Sequence, residues 1–307
     1  MIKLFTHTDL DGVSCFILAK LAFDDDVSVT FCNYDDINEK VSEFLHDPPI
    51  SVDEIHVTDI SINDTIAATI DDSDVVCRLF DHHSTASYLN KYKWCVVEES
   101  LTLTNLKTAG TELYYLYLYN NGLLCKYNDD CLRKFVEVVR DYDTWRWATL
   151  GEDGKISKKL NDLLDIYGRD DFVYKYVYSI CTSAFPRLSQ ADNLILDIEQ
   201  KKINDYISLK NDQMIRRPFL GNICGFVFAD KYISELGNEL CKMNPDVDFV
   251  AIIDIGKCAM SYRTIRDDIN LGEEIAKPLG GGGHPKAAAS RFSKDIGFEI
   301  VKALIGC

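Results

Sequence analysis

Short apolar segments alternate with segments of helical periodicity over the first part of the chain. Four of them are rich in aliphatic, β-branched or aromatic side chains, which favours β-strands. These predicted strands are residues 2–5, 27–33, 54–57 and 75–80. Between them, apolar side chains recur at helical spacing in residues 12–23, 41–45 and 62–70. Alternation of strand and helix is typical of an α/β domain with a mostly parallel sheet flanked by helices.

The pattern beyond residue 100 predicts a helical region followed by a second, smaller α/β domain. Helical periodicity covers residues 109–119, 130–140, 156–183 and 189–214. Ser189 and Asp192 are spaced to cap the last of these helices, and Pro218 follows its predicted end. Further strands are predicted at 223–228, 249–255 and 258–263, with helices at 233–242 and 272–277. The expected domains are 1–188, a linker helix over 189–217, and 218–307.

Polar side chains with metal-binding chemistry follow three of the predicted strands. They are His7, Asp9 and Asp11 after the first strand, Asp59 after the third, and Asp81, His82 and His83 after the fourth. In open α/β sheets, sites form beyond the carboxyl ends of the strands. Alternate residues of an extended segment project to one side, so His7, Asp9 and Asp11 are expected to point the same way. Carboxylates and imidazoles together favour divalent cations. The alternative for Asp11 and Asp59 is helix capping.

A glycine run near the C-terminal end, Gly280 to Gly283, precedes His284 and Pro285. Free backbone N–H groups in such a run can converge on an anion. Proline suits a first helical position and alanines favour helices, so residues 285–289 predict a helix that begins after the run. The run lacks the spacing of a dinucleotide-binding fingerprint or a P-loop. A flexible turn is the alternative interpretation.

Composition and charge narrow the possible partners. Hydrophobic residues make up 47% of the 307, which indicates a packed globular protein. The net charge of −16 argues against binding of long nucleic acid, which depends on many Lys and Arg contacts to phosphates. No apolar run is long enough to cross a bilayer, and no signal-peptide core follows Met1. The eleven scattered cysteines include no Cys-x-x-Cys pair, so we expect buried thiols, such as Cys15, and a cytoplasmic location.

Five segments in order resemble the motifs of the DHH phosphoesterase superfamily with a C-terminal DHHA1 domain. The similarity is strongest to the small oligoribonuclease (nanoRNase) group, including its NrnB-like members. The segments read HTDLDG, VTDIS, DHHSTA, DYDTW and GGGGHPKAAA, and they extend from His7 to Ala289. The resemblance implies a DHH domain with a mostly parallel sheet, a DHHA1 domain, and two manganese ions for which Mg²⁺ or Co²⁺ could substitute.

The resemblance also implies roles for individual residues. One ion would be held by His7, Asp9 and Asp59, and the other by Asp11, Asp59, His82 and Asp143. Asp81 and His83 would act in catalysis by orienting ligands or contacting phosphate. For the fourth motif, Asp141 is an alternative to Asp143. In the DHHA1 domain, the substrate-binding residues would be Ser261, Arg263, Gly281, Gly282, Gly283 and His284, with Lys286 and Arg291 as further candidates.

The function that this resemblance implies is hydrolysis of short RNA, from dinucleotides to pentanucleotides, to mononucleotides in a cleft between the domains. An additional candidate substrate is 3′-phosphoadenosine 5′-phosphate. The alternatives are a phosphodiesterase for cyclic dinucleotides or linear pNpN, and a nucleotide-binding module without turnover. A homodimer is common in small relatives, and no membrane partner is expected. For Trp145 and Trp147, core packing is favoured over base stacking.

Overall fold

The computed structural model of the protein describes residues 1–101, 105–296, 299 and 302. The chain divides into two compact units, Met1–Leu196 and Asp197–Cys307. Each unit contains its own β-sheet. Within the described residues, none of the helices has the length and apolar character that crossing a membrane requires.

Unit 1 contains a parallel sheet of five strands, β1 to β5. The strands are Ile2–His7, Val27–Cys32, Glu54–Thr58, Cys77–Asp81 and Cys95–Val97. Their order in the sheet is β2-β1-β3-β4-β5, and every neighbouring pair is parallel. The first four confirm the strands expected from the apolar segments. The fifth has three residues, which is too short to give a periodic signal.

Helices cover both faces of this sheet. They are α1 (Leu10–Phe23), α2 (Ile37–His46), α3 (Asp64–Asp71), α4 (Gly110–Asn120), α5 (Asp129–Asp143), α6 (Lys155–Tyr167) and α7 (Arg169–Cys181). Leu4 belongs to the core formed with α1 and α4, whereas Phe5 belongs to the core formed with α2 and α3. Because neighbouring side chains of β1 enter different cores, the sheet is buried on both sides, as parallel sheets are.

Helix α8 (Gln190–Asp212) begins as expected but ends earlier. The Ser189 backbone N–H donates to Asp192 Oδ2 (2.8 Å), and the Asp192 N–H donates to Ser189 Oγ (3.1 Å), which makes a reciprocal cap. The prediction that the helical pattern continues to Met214 and ends at 216–218 is wrong. Residues Ile215–Phe219 instead form strand β6 at an edge of the second sheet, where Pro218 is tolerated.

Unit 2 contains a mixed sheet of six strands. Besides β6, these are β7 (Asn222–Phe228), β8 (Phe249–Asp254), β9 (Ala259–Arg263), β10 (Gly282–His284) and β11 (Ala287–Arg291). The order is β10-β11-β9-β8-β7-β6, with β7 and β8 parallel and the other pairs antiparallel. Helix α9 (Ile233–Met243) packs on β8 and β9. A short π-helical segment, Leu271–Ala276, precedes the glycine run.

The glycine run does not lead into a helix, so that prediction is wrong. Residues 282–291 form a β-hairpin, called here the glycine hairpin, in which His284 pairs with Ala287. Strand β11 lies between β10 and β9, and its residues pair with both neighbours. These tertiary hydrogen bonds override the helix propensity of the three alanines, which is a weak preference.

Candidate metal centre

Three adjacent strands of the unit 1 sheet deliver polar side chains to one edge. His7 ends β1, Asp59 follows β3 and Asp81 ends β4. Strands β1, β3 and β4 are consecutive in the sheet and parallel, so their carboxyl ends meet. The acidic cluster is the set that gathers there, namely His7, Asp9, Asp11, Asp59, Asp81, His82, His83 and Asp143.

His7, Asp9 and Asp59 form the first group within the acidic cluster. His7 Nδ1 lies 2.9 Å from Asp9 Oδ2 and 3.8 Å from Asp59 Oδ2. Asp9 is also the N-cap of α1, since its carboxylate accepts the Gly12 backbone N–H at 3.1 Å. The extended run therefore stops at Asp9. The expectation that Asp11 projects from the same extended segment is wrong, because Asp11 lies in the first turn of α1.

His82 is the centre of the second group. Its Nε2 atom lies 3.2 Å from Asp59 Oδ1, 3.5 Å from Asp143 Oδ2 and 3.6 Å from Asp11 Oδ2. Asp143 is the last residue of α5, Asp11 lies in the first turn of α1, and Asp59 and His82 follow strands β3 and β4. Asp59 therefore lies between the groups, with one carboxylate oxygen toward His82 and the other toward His7.

Asp11 is buried and held by the start of α4. Its carboxylate accepts the backbone N–H groups of Gly110 (2.6 Å) and Thr111 (2.8 Å), and its carbonyl oxygen accepts the Thr111 hydroxyl (2.7 Å). The capping interpretation of Asp11 is therefore correct in kind, but the capped helix is α4 and not α1. A β-carbon on Gly110 would lie 2.7 Å from Asp59 Cβ, so this approach requires glycine.

Asp81 and His83 form a hydrogen-bonded pair at the end of β4. His83 Nδ1 lies 2.7 Å from Asp81 Oδ1, which also accepts the backbone N–H groups of His82 (2.8 Å) and His83 (3.2 Å). The Ser61 hydroxyl donates to the other carboxylate oxygen. Burial would raise the pKa of Asp81, but the hydrogen bonds from His83 and Ser61 lower it below its usual value. Asp81 therefore stays ionised and fixes the His83 ring.

Crowding of carboxylates in the acidic cluster disfavours their ionised forms. Burial, followed by the charges of Asp11 and Asp9, raises the pKa of Asp59 well above its usual value. The same causes raise the pKa of Asp143 to about 8. Asp59 is 1% exposed, so water cannot offset the repulsion. Added positive charge would relieve it.

The acidic cluster fits a divalent cation on two observations. First, the buried atoms His7 Nδ1, Asp59 Oδ2 and His82 Nε2 lack an aligned hydrogen-bond partner, and they are three of the seven such side-chain atoms in the described residues. Unsatisfied buried polar atoms are costly, and a cation bound between these three would satisfy them. Second, two ligands at right angles on one ion, each about 2.1 Å away, lie about 3 Å apart. The separations above, from 2.9 to 3.8 Å, are of that size.

The two candidate residues of the fourth motif have different surroundings. Asp141 Oδ1 accepts hydrogen bonds from Arg146 (2.9 Å) and Arg140 (3.2 Å), and Arg140 also donates to the buried Glu112 of α4 (2.7 Å). Asp143 instead faces His82. Sequence reasoning missed Glu112 and Arg140, because no local pattern shows that α4 and α5 bring them together.

Trp145, at the end of the fourth motif, and Trp147 were expected to pack in the core, and this expectation is wrong. Trp145 is 68% exposed and Trp147 is half-buried. Trp147 stacks on Tyr142 with ring centroids 6.1 Å apart. Cys15, in contrast, is buried in the core as expected.

In unit 2, the predicted substrate-binding residues lie on β9 and β10, the two strands on either side of β11, and Gly281 directly precedes β10. Arg263 of β9 and His284 of β10 both pair with Ala287 of β11, and Ser261 and Gly282 both pair with Ala289. Directly opposite residues of neighbouring strands share a face of the sheet. Arg263, Ala287 and His284 therefore form one row, and Ser261, Ala289 and Gly282 form a second row on the same face. The Arg263 guanidinium donates to Ser234 Oγ (3.2 Å) and to its neighbour's carbonyl. Lys286 is paired with Asp267 at 2.7 Å.

A curated relative establishes the family. The chain is 36% identical over 308 residues to the oligoribonuclease NrnB of Bacillus subtilis (strain 168), which covers 99% of this chain and 75% of that protein. The chain belongs to the DHH phosphoesterase superfamily. This DHH phosphoesterase is a metal-dependent hydrolase, and the alternative of a binding module without turnover is set aside. No family model matches its sequence.

Solved structures agree with the fold of the DHH phosphoesterase. One is the pGpG-specific phosphodiesterase PggH from Vibrio cholerae, with 13% identity, a TM-score of 0.53, and coverage of 100% of this chain and 98% of that one. Another is the Mn²⁺ complex of RecJ from Thermus thermophilus, with 15% identity, a TM-score of 0.52, and coverage of 98% and 51%. The expected α/β fold with two sheets is confirmed.

Proposed function

We propose that the chain is a manganese-dependent phosphodiesterase that hydrolyses short oligoribonucleotides, such as dinucleotides, to mononucleotides. In the same proposal, 3′-phosphoadenosine 5′-phosphate is a second substrate. The observation that carries the proposal is the acidic cluster, in which three buried ligand atoms lack an aligned hydrogen-bond partner. The similarity to an oligoribonuclease over 99% of the chain supports short RNA as the substrate class.

The proposed ligand sets share Asp59. One set is His7, Asp9 and Asp59, and the other is Asp11, Asp59, His82 and Asp143. Two ions held in this way would lower the pKa of a water between them and stabilise negative charge on the phosphate. Among the described residues at the cluster, the Ser61 hydroxyl donates to Asp81, and Cys15 is buried with its thiol pKa raised by burial, so neither is proposed as a nucleophile. Water is therefore the proposed nucleophile.

The other residues of the acidic cluster have proposed roles in positioning and proton placement. Asp81 holds the Nδ1 proton of His83, so Nε2 remains directed away from the carboxylate. In the proposal, His83 Nε2 contacts the phosphate that is hydrolysed. Gly110 and Thr111 hold both oxygens of Asp11, which prevents this side chain from rotating.

Unit 2 is proposed to bind the part of the substrate remote from the scissile bond. Arg263 can grip a terminal phosphate through two N–H groups. Ser261 and His284 offer hydrogen bonds on the same face of the sheet, and the backbone N–H groups of Gly281, Gly282 and Gly283 are proposed anion contacts. The alanines between these rows carry only methyl side chains, so within the described residues they leave room for a nucleotide on this face.

The test is hydrolysis by the purified protein with Mn²⁺ of pApA, pGpG, cyclic di-AMP and 3′-phosphoadenosine 5′-phosphate, followed by chromatography of the products. We expect the fastest turnover with a linear dinucleotide and mononucleotides as products. Mg²⁺ and Co²⁺ are compared in parallel, and calorimetry should count two Mn²⁺ sites per chain. Faster turnover of cyclic di-AMP would favour the cyclic dinucleotide alternative. Lack of hydrolysis of every substrate would overturn the proposal.

The cytoplasmic location and the homodimer remain predictions. Ten cysteines in the described residues are free thiols and seven of them are buried, whereas Cys307 lies outside those residues. Unpaired thiols are typical of a reducing compartment, which supports the proposed cytoplasmic location. The homodimer can be tested by sedimentation or light scattering.

A further inference from the structure

Tyr34 lies beside the acidic cluster, although no motif includes it. It follows β2, and its hydroxyl lies 3.0 Å from His83 Nε2. Its ring centroid lies 5.0 Å from that of His7. His7 ends β1 and His83 follows β4, so one side chain contacts histidines from two different strand ends.

The contact of His83 with Asp81 leaves the Nε2 edge of the ring, together with the Tyr34 hydroxyl, directed away from Asp81. His83 Nδ1 lies 2.7 Å from Asp81 Oδ1, so the Nε2 edge of the ring faces away from Asp81. On the opposite edge of the ring, Nε2 and the Tyr34 hydroxyl are within hydrogen-bond distance of each other. A phenol is protonated at neutral pH and can donate to an anion. An oxygen of a bound phosphate that meets His83 Nε2 would therefore also be within reach of the Tyr34 hydroxyl.

Packing does not account for the position of Tyr34. Its side chain is 58% exposed, and the hydrophobic core clusters of the described residues do not contain it. A large aromatic side chain gains little stability at such a position, since burial provides the main gain. Its contacts are instead with two histidines of the acidic cluster. This pattern is typical of a residue that contacts a ligand.

We propose that Tyr34 is a further substrate-contacting residue, whose hydroxyl donates, beside His83 Nε2, to a non-bridging oxygen of the phosphate that is hydrolysed. The inference rests on the proposed function. Hydrogen bonds to charged groups contribute more than neutral ones, and this oxygen gains negative charge as water attacks. Removal of the hydroxyl should therefore slow turnover about 10- to 100-fold.

The experiment compares wild type, Tyr34→Phe and Tyr178→Phe in steady-state hydrolysis of pApA with Mn²⁺. Tyr178 is the matched control, because it is 65% exposed and lies on α7, outside the acidic cluster. We expect Tyr34→Phe to lower kcat about 10- to 100-fold with KM changed less than about twofold. Calorimetric Mn²⁺ affinity and the melting temperature should stay at the wild-type values. Tyr178→Phe should match wild type throughout.

The two phosphorothioate diastereomers of pApA test whether Tyr34 contacts the phosphate directly or only supports the surrounding residues. Sulfur in place of one non-bridging oxygen weakens a hydrogen bond to that position, so one diastereomer should slow wild type more than it slows Tyr34→Phe. Equal kcat in wild type and Tyr34→Phe would overturn the inference. So would a lower kcat accompanied by weaker Mn²⁺ binding, or an unchanged thio effect for both diastereomers. If wild type does not hydrolyse pApA, the proposed function fails and not the assignment of Tyr34 alone.

Discussion

The carboxylates at the centre of the acidic cluster of unit 1 are buried and held in place, whereas strand β10 of the glycine hairpin of unit 2 is exposed. Asp11, Asp59 and Asp81 are buried, and Asp11 and Asp81 each accept two or more hydrogen bonds. Gly282 and His284, in contrast, are exposed residues of an edge strand. The difference fits the proposed division of roles, in which buried, fixed residues hold the metal ions and the hairpin offers accessible backbone and side-chain donors. Substitutions in the acidic cluster should therefore affect Mn²⁺ binding and kcat, whereas substitutions in unit 2 should mainly affect KM.

The largest effect is expected from Asp59→Asn. This change should remove Mn²⁺ binding and lower kcat on the order of a thousandfold, because both proposed ligand sets lose a member. Activity assays and calorimetry provide the measurements. Asp25→Asn, at a fully exposed position, is the control. Unchanged Mn²⁺ affinity in Asp59→Asn would contradict the ligand assignment.

The same variant should stabilise the metal-free protein near neutral pH. The pKa of Asp59 is raised in the folded protein, so ionisation of its carboxyl at a pH above its usual pKa of 3.8 destabilises the fold. Asparagine is neutral at every pH and carries no such penalty. Thermal unfolding in EDTA should therefore show a higher melting temperature for Asp59→Asn at pH 7 and a smaller difference at pH 4. A lower melting temperature at both pH values would indicate that the carboxylate supports the fold.

Gly110→Ala should damage the acidic cluster through sterics alone. The new β-carbon would meet Asp59 Cβ at 2.7 Å and Asp59 Cα at 2.8 Å. Forced relaxation should lower the free energy of unfolding by about 1–3 kcal/mol and abolish Mn²⁺ binding. Urea denaturation and calorimetry measure these effects. Gly256→Ala is the control, because its nearest neighbour would be Asp254 Oδ1 at 3.4 Å, an ordinary contact.

Arg263→Ala should affect binding and leave the chemistry of the acidic cluster intact. Loss of a charged, two-pronged phosphate contact is expected to raise KM about tenfold with kcat and Mn²⁺ affinity unchanged. Arg217→Ala, on the exposed edge strand β6, should have wild-type kinetics. If Arg263→Ala weakened Mn²⁺ binding, the two regions could not be treated as separate.

Gly282→Ala should have the smallest effect. A β-carbon there has no neighbour within 4 Å, and the backbone does not require glycine. We expect the free energy of unfolding to change by less than about 0.5 kcal/mol. Gly281→Ala provides the contrast, since its β-carbon would overlap the Ala289 carbonyl oxygen. Equal destabilisation by both substitutions would show that the hairpin is more tightly packed than its exposure indicates.

Sequence patterns predicted the acidic cluster better than the hairpin for a physical reason. Parallel strands such as β1, β3 and β4 are short apolar runs, and their carboxyl ends meet whatever the intervening helices do. Strand β11 is formed from alanines that favour a helix locally, and only pairing with β9 and β10 makes it a strand. Strand β5 was missed because it has three residues.

Partners that are distant in sequence were also beyond prediction. The hydrogen bonds from Gly110 and Thr111 to Asp11 span about a hundred residues, and the Arg140–Glu112 pair joins two helices. Tyr34 lies after an edge strand and has no neighbouring motif. Each of these contacts follows from tertiary packing, which periodicity and spacing do not report.

Three consecutive strands present His7, Asp59 and Asp81, so backbone hydrogen bonding sets the scale of the site. Neighbouring strands in a sheet are about 4.8 Å apart, and two ions that share a carboxylate are about 3.5–4 Å apart. The spacing of these strand-end residues is thus set by a dimension that every parallel sheet reproduces. An enzyme built in this way could exchange the surface residues that select a substrate while the sheet keeps the proposed metal ligands at a constant spacing.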